Sequence, residues 1–169
     1  IQPSCIVLVA TVRALKYNGG VAKEDLAKEN LQALAAGSVN LAAHIENLQK
    51  YGVPVVVALN HFYADTAAEV AFVRSFCASR GVAFSVTKCF AEGGSGSTDL
   101  AEKVVAACAQ ESHFRFLYDL DRPLEEKIET IAREIYGADG VDYTAQAKKD
   151  MSALKELGVC DLPVCMAKT

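Results

Sequence analysis

Nowhere in the 169 residues does an apolar run approach the roughly 18 that a membrane-spanning helix requires. No basic-then-apolar export signal opens the chain, and no internal repeat or low-complexity linker interrupts it. Positive charge is scarce too: 17 Lys and Arg against 21 Asp and Glu leave a formal net charge of -4. Nucleic acids and anionic membranes are met by basic surfaces, so neither is expected as a partner. C-x-x-C pairs are missing although six cysteines are present: Cys5, Cys77, Cys89, Cys108, Cys160 and Cys165. That spacing indicates neither a zinc site nor a disulfide framework. Several lie in apolar runs, which suits reduced, mostly buried thiols in an intracellular, cytoplasmic protein. Neither G-x-S-x-G nor G-x-x-x-x-G-K-[ST] occurs. His44, His61 and His113 are too scattered to suggest a metal site, and no catalytic triad or Cys-His pairing can be argued.

What is present has the balance of a soluble globular domain, 51% hydrophobic and 22% charged. "CIVLVATV" (Cys5 to Val12), "VPVVVALN" (Val53 to Asn60) and "VAFSVTK" (Val82 to Lys88) are short β-branched runs. The first two are apolar almost throughout, the mark of parallel strands covered on both faces. A helical period runs from Lys23 to about Tyr51 through Leu26, Leu31, Leu34, Leu41, Ile45 and Leu48, with a break expected at Gly37. "TAAE" at Thr66 is a capping box for a helix to Arg80, and Thr98 to Glu111 is a third amphipathic helix. Alternating strands and helices predict an α/β fold: a parallel sheet with crossover helices, a nucleotide-binding type of layer. After "FRFLYDLDRP" two more helices are expected, Leu124 to Gly137 and Thr144 to Leu157, and "LPVCMAK" reads as a further strand. The expected division is an α/β ligand-binding core over 1–118, a helical segment over 119–162 and the start of a strand over 163–169. Strands at both limits of the chain would need neighbours, so a piece of a longer polypeptide is expected.

Open parallel sheets bind ligands beyond the carboxyl ends of their strands. Three loops should meet there: "RALKYNGG", "NHFYADT" and "CFAEGGSGST". Phe62 and Phe90 stand near the starts of two of them, where rings either close the top of the core or stack on a flat ligand. Asn60 and Asp65 echo the N-x-x-D theme of guanine readers, with the carboxylate five places on instead of three. "GGSGS" is a hinge or close-approach loop ahead of a helix N-terminus, a place that suits an anionic group. Arg13 and Lys16 are able to meet phosphate, although surface charge or ion pairing is the ordinary role of such residues.

The segments "VLVATVRALKYNGGV", "ENLQALAAGSVNLAAHIEN", "YGVPVVVALNHFYADT", "FAEGGSGSTDLAEKV", "FLYDLDRPLEEKIETIAREIYGADGV" and "LPVCMAKT" together resemble the formate–tetrahydrofolate ligase family, in order and over essentially the whole chain. The resemblance implies an ATP-driven ligase. Formate attacks the terminal phosphate of ATP, and tetrahydrofolate then takes the formyl group from formyl phosphate. By the same resemblance Phe62 is the aromatic of N-x-F that stacks on the pterin. Phe90 stands where Trp is common before A-x-GG, and Val86 stands at an aliphatic wall of the folate pocket. Tyr63, a further folate-side residue, replaces a common Pro. Asn60 and the pair Gly19 and Gly20 fall on the nucleotide side, and Asn18 stands where His is frequent. The phosphate-binding loop, the residues handling formyl phosphate, and sites for Mg2+ and a monovalent cation are expected outside this chain, so the 169 residues alone are expected to be inactive. The full-length form is expected to be a homo-oligomer. A GTPase-like nucleotide-binding module and a non-catalytic remnant domain are the alternative readings.

Overall fold

The computed structural model of the protein describes residues 2–166, which fall into two compact units divided between Phe114 and Arg115. In the first, the elements run β1 (Ile6–Ala10), α1 (Val12–Asn18), α2 (Leu31–Gln49), β2 (Val55–Asn60), α3 (Ala67–Ser79), β3 (Ala83–Thr87), a one-turn α4 (Cys89–Glu92) and α5 (Thr98–Cys108). The strands form a parallel sheet in the order β1-β2-β3, so the α/β architecture expected from the sequence is the observed one. Leu8 pairs with Val57 and Val57 with Phe84, and the strand period of two sends Ile6, Leu8, Val55, Val57, Leu59, Phe84 and Val86 to one face. That face packs on Leu34, Leu41 and Ile45 of α2, Val73 and Cys77 of α3, and Val12 and Leu15 of α1. Each fully buried Val, Leu or Ile there contributes about 1.5–3 kcal/mol relative to exposure.

The other face is covered differently. Helix α5 packs on β3 and β2, and the buried Ser85 hydroxyl donates to Asp99 Oδ2 at 2.5 Å. Val56 and Ala58 are buried, but Val9 of β1 remains 64% exposed. Of the two apolar strands, β2 is therefore covered on both faces and β1 is not, although its composition suggested it. β1 lies at the sheet edge, farther from α5 than the two strands that helix covers.

Three further expectations are corrected. The helical period from Lys23 resolves into a short 3-10 turn at Lys23–Asp25 and then α2, whose N-cap Asn30 accepts from the Ala33 amide at 2.9 Å. Gly37 does not break α2. It is instead a point of close approach to α1: a Cβ there would lie 1.8 Å from the Leu15 carbonyl oxygen. Of the six cysteines only Cys77, on the sheet-facing side of α3, is buried, whereas Cys89, Cys108 and Cys165 are exposed at or beyond element ends.

The Thr66–Glu69 capping box forms as its spacing predicts and does more than cap. Glu69 Oε2 accepts from the Thr66 amide at 3.1 Å. Its Oε1 accepts from Lys16 Nζ at 2.8 Å and from the Asn30 amide at 3.1 Å. Lys16 also donates to the Lys28 carbonyl at 2.9 Å. Both charged side chains are buried, so Lys16 serves as an ion-pair residue fastening α1, the start of α2 and the start of α3.

In the second unit, α6 (Leu124–Tyr136) follows Pro123 and ends at Gly137, whose left-handed φ of 65° a glycine adopts without strain. Helix α7 (Ala145–Glu156) is capped by the Thr144 hydroxyl. The buried Lys127 of α6 donates to the carbonyls of Cys160 at 2.7 Å and Leu162 at 3.2 Å. Further on, the Val164 amide donates to the Tyr118 hydroxyl at 2.8 Å. The expected strand at 163–169 is absent over 163–166, where the Val164 backbone bonds to the Tyr118 side chain; its remaining part, 167–169, lies outside the described residues.

Candidate functional site

The β2–β3 ladder ends at the pair Asn60 and Thr87, and the His61 amide continues it by donating to the Thr87 carbonyl at 3.0 Å. Both strands thus release their chains at the same level, each carrying an aromatic within three residues. On the β2 side the loop is held by Asp65, whose Oδ2 accepts from the Phe62 amide at 2.9 Å. Burial raises the Asp65 pKa and that amide bond partly counters the rise. Its carboxylate is thus turned into the loop instead of being presented to a base, which removes the structural support for a guanine-reading Asn60–Asp65 pair.

On the β3 side, the Lys88 amide donates to the Gly96 carbonyl at 2.9 Å, closing "CFAEGGSGS" into α4 and a 3-10 turn at Gly93–Ser97. The glycine run is therefore a close-approach loop. A Cβ on Gly96 would lie 2.7 Å from the Lys88 carbonyl oxygen, whereas Gly93 with φ 61° answers a backbone requirement. Beneath it, the Cys89 thiol contacts the Ser97 hydroxyl at 2.6 Å and the Thr87 hydroxyl at 3.2 Å. These hydroxyls, Ser97 first, hold the thiol below its usual pKa. Gly96→Val is expected to open this ring at a cost of about 1–3 kcal/mol, seen as a lower thermal midpoint and a displaced Phe90.

Between the loops lies an apolar cleft of about 590 Å3 lined by Asn60, His61, Phe62, Tyr63, Lys88, Phe90, Ala91 and Glu92. Its size is within the range of small-molecule sites. Phe90 and Tyr63 are fully exposed and Phe62 is 37% exposed, so Phe90 does not close the top of the core. The Arg13 guanidinium lies 5.3 Å from the Phe62 ring centroid, a cation–π contact on one ring face. Lys88 is ion-paired with Glu92 at 3.7 Å across α4.

The structure thus brings Asn60, Phe62, Tyr63 and Phe90 together. Val86 is not among them: half-buried against the core, it lines a neighbouring groove with His61 and Lys88. Gly19 and Gly20 line a separate polar groove of about 680 Å3 with Asp25, Lys28 and Asn30. Their amides donate to carbonyls of α1, Gly19 to Leu15 and Gly20 to Tyr17, so neither is open to a phosphate oxygen. Gly19 has a packing reason as well, since a Cβ there would fall 1.9 Å from the Ala33 carbonyl oxygen. No triphosphate cradle fits these residues, and among the described residues no group of three His, Cys, Asp or Glu side chains is placed to hold a metal. No described helix is long and apolar enough to cross a membrane. Sequence reasoning missed Lys88 and the cation–π contact of Arg13; only the meeting of three loops reveals them.

An aromatic cleft thus stands at the carboxyl edge of a parallel sheet, with Asn60 in its lining and a glycine loop following Phe90. The family model for formate–tetrahydrofolate ligase matches residues 1–169, and the chain belongs to that family, whose members join formate to tetrahydrofolate.

Proposed function

We propose that the cleft between Phe62 and Phe90 takes the pterin ring of tetrahydrofolate, and that this chain supplies the folate side of the ligase site. The observation that carries the reading is that the two rings line one cavity and make no ring pair with each other; the described residues contain a single aromatic pair, Phe72 with Phe76. A planar heterocycle can therefore enter between them. Arg13 lies over one face of Phe62. Tyr63 walls the outer rim, and Asn60 offers an amide at the base, toward the nucleotide. Gly19 and Gly20, one groove away, would meet a nucleotide by close packing and not through their amides.

In the whole reaction formate becomes an acyl donor only when its oxygen is made part of a phosphate leaving group, which is the reason for ATP. A tetrahydrofolate nitrogen then attacks the formyl carbon and phosphate departs, giving 10-formyltetrahydrofolate. The residues of this chain hold the attacking molecule by its ring. They supply no cradle for the terminal phosphate. The isolated 169 residues are accordingly expected to show no formate- and folate-dependent ATP cleavage, and sustained turnover would contradict this division of labour.

Titration calorimetry of the chain with tetrahydrofolate tests the cleft. Phe62→Ala and Phe90→Ala are each expected to weaken binding by roughly 2- to 12-fold, since an aromatic stack is worth about 0.5–1.5 kcal/mol beyond area burial. Unchanged affinity in both variants would return the rings to a role unconnected with folate.

A further inference from the structure

The edge of the sheet opposite the aromatic cleft brings two thiols together. Helix α5 leaves β3 at the carboxyl edge and runs back along the sheet, so its last residue, Cys108, arrives where the strands begin. Cys5 stands at that same edge, immediately before β1. The Ile6 amide donates to the Pro54 carbonyl at 2.9 Å, and Pro54 lines a groove with Ala106 and Ala107 of α5. The strand period of two sets the direction of the Cys5 side chain. Ile6 and Leu8 turn to the core formed with α1, α2 and α3, so Cys5 falls on the α5 face. There the Cys5 and Cys108 thiols lie within hydrogen-bonding reach of each other. Both are free thiols, Cys5 half-buried and Cys108 exposed. Burial raises the Cys5 pKa, and the neighbouring Cys108 adds to the rise.

We propose that Cys5 and Cys108 form an oxidative modification site, at which a small-molecule disulfide installs a Cys5–Cys108 bond that clasps the end of α5 to the start of β1. The exposed Cys108 meets the oxidant first. Its thiolate attacks one sulfur of the small disulfide, forming a mixed disulfide and expelling one small thiolate. The Cys5 thiolate then attacks the Cys108 sulfur and expels the second. The two protein thiols give up two protons and two electrons, and the oxidant departs as two thiols. The raised Cys5 pKa withholds its thiolate at neutral pH, so ring closure quickens as pH rises. β1 joins the sheet through β2, and α5 packs on β3 and β2. The bond would tie the edge strand directly to that helix. It would also close a loop of about 100 residues, a length at which a cross-link strongly constrains the unfolded chain.

The test equilibrates the full chain at graded ratios of oxidised to reduced glutathione and maps its peptides without reduction. The expected product is a peptide containing Cys5 joined to one containing Cys108, with an intact mass lower by two hydrogens and restored by dithiothreitol. The oxidised wild type is expected to melt roughly 5–15 °C above oxidised Cys108→Ser. Both proteins are compared in the oxidised state, so adducts at the exposed Cys89 and Cys165 cancel. Cys5→Ser should leave Cys108 as a lasting mixed disulfide with glutathione. Should Cys5→Ser fail to fold, the wild-type map and Cys108→Ser decide alone. Three results overturn the site: glutathione on Cys108 with Cys5 reduced at every ratio, Cys5 joined to a different cysteine, or a wild-type midpoint no higher than that of Cys108→Ser. None of them bears on the folate reading, because the aromatic cleft stands at the other edge.

Discussion

Lys16→Met is expected to destabilise the first unit by about 3–5 kcal/mol, the range for removing one partner of a buried ion pair. The loss comes less from the missing attraction than from what remains. Glu69 would keep its buried carboxylate with two backbone amides and no counter-charge. Glu69→Gln should cost a similar amount, because Gln keeps one of the two accepting oxygens and leaves the buried Lys16 ammonium with the Lys28 carbonyl and no carboxylate among the described residues. The two variants differ most in acid. Burial pushes the Glu69 pKa up, but the Lys16 ammonium and the amides of Thr66 and Asn30 outweigh it, so the folded value lies below the usual one. A group depressed on folding stabilises the fold above its unfolded pKa, about 4.3, and loses that contribution as pH falls through the folded value. Asp65 has the opposite sign. Its raised folded pKa favours the fold in acid, and that advantage fades as pH rises through the folded value. Chemical denaturation of the wild type should therefore show a fall in stability below about pH 4.3 that Glu69→Gln flattens. If Lys16→Met changes stability by less than about 1 kcal/mol, the level of an exposed pair, the pair is not buried as described.

Gly37→Ala is the second large effect, at roughly 3 kcal/mol or more, because the added methyl meets main chain that cannot rotate aside. The new Cβ would lie 1.8 Å from the Leu15 carbonyl oxygen and 2.8 Å from the Gly19 nitrogen. Relief requires α1 to move away from α2, and α1 carries both Lys16 and Arg13. Gly37→Ala should thus lower the thermal midpoint and also weaken tetrahydrofolate binding through the Arg13–Phe62 contact. At an exposed helical position the same exchange would be stabilising, since Ala exceeds Gly in helix propensity by about 1 kcal/mol. A stabilised Gly37→Ala variant would therefore mean that the two helices do not touch there.

The amino-acid sequence by itself determined the elements and the kind of sheet. Apolar runs of five or six residues between amphipathic stretches dictate parallel strands with crossovers, and the Thr66–Glu69 spacing dictates a helix start. It also placed Asn60, Phe62, Tyr63 and Phe90 at one edge of the sheet, because the side at which a parallel strand ends follows from chain direction alone. Only the tertiary structure decided how each position is used. Gly37 has the local signature of a helix break, and the neighbouring helix turns it into a contact. Lys16 reads as a surface cation until Glu69, 53 residues away, closes over it. Val86 belongs with Phe90 by sequence distance, yet the alternation of strand faces sends it to the groove beside Arg74 instead. Hydrophobic period and turn chemistry are local and survive in a single sequence, whereas burial, close approach and the meeting of three loops depend on pairs of residues that no local pattern joins.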